Sequence, residues 1–413
     1  MGPRAARYLD LIRVADWFGA ERARVYLWIL AGLSAVAAAV YLGLSSPLLD
    51  PLGKALGTDF ASFWTASQLA LAGPASAPWD VGAHRAAQAA LFGEEAGYAA
   101  FFYPPPYLLV CLPLALLPYA VSLAAWLAVT GAAWIGVVRR WLGAGAGWLP
   151  ILAFPAVLVN AGHGQNGFLT AALFGAAALI HQRRPWLSGA LFGALILKPH
   201  LALLVPLFFI VSGNWRGFVA AGAMAAGLCA ASLAVFGPEA WLGFVETSGL
   251  ARAALEQDLV GYARMQSAYA GARLLGADGG LAWIVHGGAL ALAVTAVWTT
   301  RRSSEAARGA VLAAATLIAT PFLLDYDLTL LAVPLAWLFR EAVREGFRPW
   351  DKLILLGGFM LPLAARPLAL AAGLPIAPLV ILALLFCVVR RTADRSAVPA
   401  PAPGSETLLM ARP

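Results

Sequence analysis

The sequence carries little charge. Only 12% of its 413 residues are Asp, Glu, Lys or Arg, against about 25% in a soluble domain. This shortage excludes an ordinary globular enzyme, a soluble repeat array and a disordered chain, which needs high charge and low hydrophobicity. Cysteine is also scarce. Cys111, Cys229 and Cys387 lie singly in apolar runs, with no metal-ligand spacing and no disulfide framework. No glycine-rich phosphate fingerprint sits on a strand–helix unit, so no nucleotide-sugar binding is expected. The first 24 residues have neither the apolar core nor the small-residue cleavage site of a secretory signal, so the first apolar run is expected to stay as a helix.

What the sequence does have is hydrophobicity. Apolar residues make up 61% of the chain and the mean hydropathy is +0.78. Apolar runs recur from end to end, each about 20 residues and long enough to cross a bilayer as a helix. They are continuous rather than alternating, which argues against a β-barrel. The fold class is therefore an all-α polytopic membrane protein. The net charge of +7 fits basic residues gathered at cytoplasmic helix ends, and no nucleic-acid partner is expected.

Arg4, Arg7, Arg13, Arg22 and Arg24 place residues 1–25 in the cytoplasm as an N-terminal segment. The membrane domain is expected over 26–390, starting with a span at 26–45. Residues 46–102 are less apolar and read as a helical external subdomain, 237–278 as a second external loop, and 366–374 as an external segment between the last two runs, 353–365 and 375–389. Basic clusters at Arg183-Arg184, Arg216, Arg301-Arg302, Arg340 to Lys352 and Arg390-Arg391 fall on one side, the cytoplasmic side, if each intervening stretch crosses twice. The stretch 104–138 breaks this parity unless one half is re-entrant or interfacial, a break that Pro113 and Pro118 can supply. The count is then about 10–12 crossings. The Pro/Ala-rich segment 391–413 reads as a disordered cytoplasmic tail.

Polar groups at membrane depth are costly and tend to be functional or partnered. Here they fall toward the external side: Asp59; His163, Gln165 and Asn166; Lys198 and His200; Arg264 and Gln266; Asp325 and Asp327. Carboxylates with a lysine and an arginine suit a phosphate-bearing substrate whose acceptor hydroxyl needs a base. Each group also has a simpler reading. Asp59 could cap the helix that starts near Phe60, and Asp325 and Asp327 the span that follows them. The run Gly162 to Gly167 could be a tight turn, Lys198 a snorkelling side chain, and Asp80 a turn residue.

The order of these motifs resembles glycosyltransferase family 87, bacterial membrane glycosyltransferases of the GT-C class. The matching residues are Asp59-Phe60 with Phe63-Trp64, Ala66, Leu69 to Gly73 and Trp79-Asp80; then Phe102-Tyr103-Pro104-Pro105 and Pro113-Leu114. Gly164-Gln165-Asn166, Gly189 to Lys198-Pro199, Trp215-Arg216 and Thr320-Pro321 with Asp325-Tyr326-Asp327 follow. The histidines common at the last position in the family are absent. The resemblance covers roughly residues 57–340. It implies a GT-C-like fold, a polyprenyl-phosphate-linked sugar as donor, and transfer on the periplasmic face of the bacterial inner membrane. It also implies that the first-loop aspartate, here Asp59, is the general base.

On that reading Asp59 deprotonates the acceptor hydroxyl as it attacks the anomeric carbon, with inversion. Lys198, with Arg264, steadies the leaving phosphate, and His163, Gln165, Asn166, His200, Gln266 and Tyr103 bind donor sugar or phosphate. Asp325, Asp327 and Asp80 bind sugar hydroxyls or orient the acceptor, a glycolipid or glycan. The sugar is expected to be a mannose-like hexose. No cofactor is expected and no metal is assigned; Asp59 with Asp325 or Asp327 is the combination that could hold one. A second class compatible with the sequence is a transporter or flippase for a lipid-linked or anionic solute, since Lys198-Pro199 resembles the break of a discontinuous transporter helix. A third, a structural membrane subunit, accounts for the apolar runs but not for the recurring external Asp, Lys and Arg.

Overall fold

Residues 3–396 are described by a computed structural model. Among them there is no β-strand, only isolated bridges at Leu49–Ala55 and Met265–Leu324. The chain is an all-α membrane protein. Helix α1 (Pro3–Val14) leads to α2 (Ala20–Leu44), which has no buried residue, as a lipid-facing span requires.

The first loop folds as a helical unit. Helix α3 (Thr58–Ala72), α4 (Val81–Phe92) and α5 (Pro105–Cys111) surround an aromatic core. Phe63 sits at its centre, edge-on to Tyr103, Tyr107 and Trp126. After α5 the chain makes a single 3-10 stretch, Leu112–Leu116, and then α6 (Tyr119–Leu142). Pro113 and Pro118 cannot donate to a helix ladder, so 104–138 divides into a short broken element and one long span. The broken element is held against α3, where Gln68 Nε2 donates to Ala115 O at 2.8 Å and Trp64 Nε1 to Leu117 O at 3.1 Å.

The remaining helices are α7 (Leu149–Leu152), α8 (Ala156–His163), α9 (Gly167–Ile180), α10 (Pro185–Gly193), α11 (Val205–Val211) and α12 (Trp215–Glu256). They continue with α13 (Ala268–Leu274), α14 (Gly279–Thr299), α15 (Glu305–Ala319), α16 (Ala332–Glu345), α17 (Asp351–Ala372) and α18 (Ile376–Ser396). The main core joins α6, α9, α15, α16 and α18, with Trp134, Trp141, Phe174 and Trp337 fully buried. Among the described residues α2, α6, α12, α14 and α17 are long and apolar enough to cross a membrane alone. The shorter apolar elements, such as 167–180, 185–197 and 199–211, would have to cross as well to reach the expected total.

Three boundaries differ from the sequence reading. The stretch 237–278 is largely helical: α12 breaks at Gly237 (φ 72°) and resumes from Pro238 to Glu256. Residues 366–372 belong to α17 rather than to a loop, because Pro362 and Pro367 are tolerated inside it. The tail begins later than expected, since α18 carries 391–396; the rest of the expected disordered segment, 397–413, lies outside the described residues.

The two ends of the bundle are chemically different. At one end arginines meet helix termini. Arg340 NH1 donates to Trp141 O at 3.3 Å, tying the end of α16 to the end of α6. Arg390 pairs with buried Asp351 at 2.9 Å and buried Arg391 pairs with it too, tying α18 to the start of α17. Helix α6 therefore ends at the arginine-rich face, with Arg139-Arg140 on the same side as Arg340. The other end holds the polar groups singled out above.

Candidate active site

Two glycines let the site assemble. Gly164 ends α8 in the left-handed region (φ 60°), which favours glycine. A Cβ there would lie 2.6 Å from Phe60 Cβ, so the close approach of α8 to α3 also needs a bare residue. Gly167 starts α9, where a Cβ would lie 2.6 Å from Tyr326 O and 2.5 Å from Asn160 Oδ1. The 3-10 segment Asp325–Leu331 packs into that gap, and Thr329 Oγ1 donates to Gly167 O at 3.0 Å. The run Gly162 to Gly167 is thus a turn, and it is also the junction that brings three distant segments together.

Asp59 occupies the second residue of α3, and its helix is capped by Gly57 without a side-chain bond. Its carboxylate is therefore not an N-cap. Asp59 Oδ2 accepts from Gln165 Nε2 at 3.0 Å. Gln165 is itself fixed: its Oε1 accepts from Tyr103 OH at 3.0 Å and from Asn166 N at 2.7 Å. Beside Asp59, Thr58 Oγ1 is hydrogen-bonded to His163 Nδ1 at 2.8 Å, and the His163 ring stands edge-on to Tyr326. Asp59 is half-buried: protein packs closely around it, yet it keeps access to solvent. Burial raises its pKa above the ordinary carboxylate range, and Asp325 adds to that, against the opposing pull of His163, the Gln165 hydrogen bond and Lys198.

The cations are held by carboxylates. Lys198 lies where the helical pair breaks. Pro199 disfavours helical backbone in the residue before it, and Lys198 is extended, φ −146° and ψ 73°. Its buried Nζ donates to Asp327 Oδ1 at 2.5 Å and to Asn166 Oδ1 at 3.3 Å, over the Tyr326 ring at 4.7 Å. Asp327 Oδ2 also accepts from Leu324 N at 3.2 Å, so the residue both caps its 3-10 segment and pairs with the lysine. Asp325 Oδ2 accepts from Arg366 NH1 at 3.2 Å.

Arg366 has no part in the sequence reading. The signal was available: an arginine in a segment read as external, 366–374, runs against the usual cytoplasmic bias of basic residues. Gln266 is placed near this group through its backbone, since Gln266 N donates to Leu323 O at 2.7 Å, but its side chain turns back to Arg264 O at 3.1 Å. Arg264 itself is exposed. His200 follows the break, half-buried, with Nε2 unpartnered and its carbonyl accepting from Thr320 Oγ1 at 3.2 Å. Asp80 stands apart from these pairs. It is exposed and caps α4, accepting from Ala83 N at 2.9 Å, a helix N-cap where the sequence suggested a turn residue. Among the described residues no three His, Cys, Asp or Glu side chains form a metal-ligand group.

The fold and these groups define a polytopic helical membrane protein with a polar cluster at one end of the bundle, two buried or half-buried ion pairs beside the Asp59 carboxylate. The model of glycosyltransferase family 87 matches residues 101–324, more than half of the chain, and the protein belongs to that family. Its activity class is accordingly that of a glycosyltransferase. No curated protein and no solved structure gives a match. The matched region contains Tyr103, His163, Gln165, Asn166, Lys198, His200, Arg264 and Gln266. Asp59, Asp325, Asp327 and Arg366 lie outside it, so their place in the site rests on the geometry; Asp80 lies outside it too.

Proposed function

We propose that this glycosyltransferase moves a mannose-like hexose from a polyprenyl-phosphate-linked donor to a glycolipid or glycan acceptor, with Asp59 as general base. The observation that carries the reading is the Gln165-anchored Asp59 carboxylate set among His163, the Lys198–Asp327 pair and the Asp325–Arg366 pair. A base must be oriented and poised near working pH. Gln165 supplies orientation, and burial raises the carboxyl toward that range. Lys198 and Arg366 are the cations that would take the charge building on the leaving phosphate. Each would share itself between its resident carboxylate and the donor. Asp325 and Asp327, loosened from their cations, would be free to accept from sugar hydroxyls. His163, Asn166, Tyr103 and His200 line the same region and would hydrogen-bond the donor head.

The architecture reads as GT-C-like, in a bacterial inner membrane. The arginine-rich end would face the cytoplasm by the bias of basic residues, which sets the Asp59 end toward the periplasm. The test uses the full chain in nanodiscs with radiolabelled polyprenyl-phosphate-mannose, -glucose and -arabinose, with and without a lipid extract as acceptor. Label passing from one donor to a new product, and lost in Asp59→Asn, supports the reading and names the sugar. A folded protein that transfers from none of them, yet moves a labelled lipid across the bilayer, would sink it in favour of a transporter.

A further inference from the structure

A second polar site lies at the opposite end of the bundle from Asp59. Helix α9 begins beside Asn166 and ends at His181; its 14 residues separate the two ends by about 20 Å at the helical rise. There the turn after α9 and the turn between α11 and α12 meet the first turns of α15 around a cavity of about 430 Å³. His181, Gln182, Ser212, Asn214, Arg216 and Arg308 line it. Asn214 staples the two turns, with Nδ2 donating to His181 O at 2.6 Å and Oδ1 accepting from Gly217 N at 3.0 Å.

Two lining side chains are buried with unspent hydrogen-bonding groups. Arg308 is 6% exposed. One arm of its guanidinium is used, NH1 donating to Arg301 O at 3.2 Å, while Nε and NH2 have no partner. These two form the side-on edge of the fork, the geometry that grips an oxyanion with two parallel bonds. His181 is fully buried. Its Nδ1 donates to Ala178 O at 3.0 Å, so the unpartnered Nε2 carries the lone pair. Leaving such groups unmade costs free energy.

The nearby carboxylate does not fill this role. Glu305 Oε1 accepts from Gln182 N at 2.6 Å and lies 3.8 Å from His181 Nδ1, on the ring edge away from Nε2; its other oxygen is 3.4 Å from Arg183 Nε. Exposed Arg216 adds positive charge at the rim, and the exposed rings of Trp215 and Trp186 are the residues that mark a bilayer interface.

We propose that this cavity binds a phosphate ester bearing a free hydroxyl, a phosphoglycerol-type head. The phosphate sits on the Arg308 edge and Arg216, and the hydroxyl donates to His181 Nε2. Basic pockets between helices at a membrane face are suited to phospholipid heads, and the same chemistry is present in free glycerol 3-phosphate. Thermal unfolding of the full chain in neutral detergent separates the sources. Phosphatidylglycerol is expected to raise the midpoint where an equal amount of phosphatidylcholine does not. Arg308→Gln and Arg216→Gln are expected to weaken the apparent affinity about tenfold or more, the worth of a charged hydrogen bond. A saturating shift from glycerol 3-phosphate alone would support the site with a soluble ligand. Equal shifts with both lipids, or unchanged affinity in the folded Arg216→Gln protein, would overturn it. Arg216 is exposed, so that variant keeps the test open if Arg308→Gln fails to fold. Binding is read without glycosyl transfer, so the outcome is independent of the role given to Asp59.

Discussion

Gln165 donates its side-chain amide to Asp59 at 3.0 Å across 106 residues of chain. An amide donor fixes a carboxylate in place without neutralising it. Asp59→Asn keeps an oxygen that can accept the same bond, so the fold should survive. Transfer should fall by about 100- to 10,000-fold, the usual worth of a positioned base. The check is transfer rate beside the melting midpoint; a rate within a fewfold of wild type would remove Asp59 from the base role.

The raised pKa of Asp59 gives a pH signature. The base works only when ionised, so the rate should drop as pH falls through its pKa. Because burial moves that value up, the acid limb of kcat/KM should lie above the ordinary aspartate value of about 3.9. Tyr103→Phe frees Gln165 from one of its two anchors. With the amide less firmly held against the carboxylate, the limb should move further up and kcat should fall a fewfold. A profile unchanged in position would show that Tyr103 does not act through Gln165.

Lys198 and Asp327 can be separated into structural and chemical contributions. Lys198→Met leaves a buried carboxylate without its cation, which costs about 3–5 kcal/mol. Adding Asp327→Asn removes the uncompensated charge and keeps an acceptor for Leu324 N. The double variant should therefore recover most of the lost stability and still transfer poorly. Thermal unfolding and transfer assays on both proteins decide it; full activity in the double variant would limit the pair to holding the fold.

His84 gives a stability prediction away from the chemistry. It is buried in α4, Nε2 donating to Ser62 O at 3.2 Å, and burial pushes its pKa down to about 4. The unfolded chain takes up a proton near pH 6.5 and the folded one near 4, so between these values the unfolded state binds more protons. Stability should be complete above about pH 6.5 and decline toward about pH 4, by up to about 1.4 kcal/mol per unit. Melting of wild type and His84→Gln across that window tests this, the variant showing a flatter curve.

Gly167→Ala tests the junction. A methyl group there meets Asn160 Oδ1 at 2.5 Å and Tyr326 O at 2.6 Å. Such overpacking costs about 1–3 kcal/mol and pushes the 325–331 segment outward, taking Asp327 away from Lys198. Stability and transfer should fall together. Gly162→Ala, where nothing lies within 4 Å of the added carbon, should be silent.

The sequence made the polar residues of the site easy to list, because a lone Asp59, Gln165, Lys198 or Asp327 stands out in an apolar chain. It did not say which would pair, since the partners Lys198 and Asp327 are 129 residues apart. Arg366 was hidden for a different reason: its helix continues through Pro362 and Pro367, where the pattern read as a loop. Asp80 and Asp59 look alike in sequence, each near a helix start. Only the backbone separates them, as one lies at the cap and the other at the second helical position. The 104–138 stretch was legible through its prolines, which act locally and need no partner.

Helix α2 has no buried residue, and this sets how it can vary. Elsewhere a position is constrained by the shape of its neighbours, as at Gly167. Along α2 the constraint is on the average and not on the site. Leucine, valine, isoleucine or phenylalanine should be interchangeable over most of its length, while one lysine at its middle should be harmful. A substitution library over residues 20–44 would thus record a hydropathy requirement with almost no positional information.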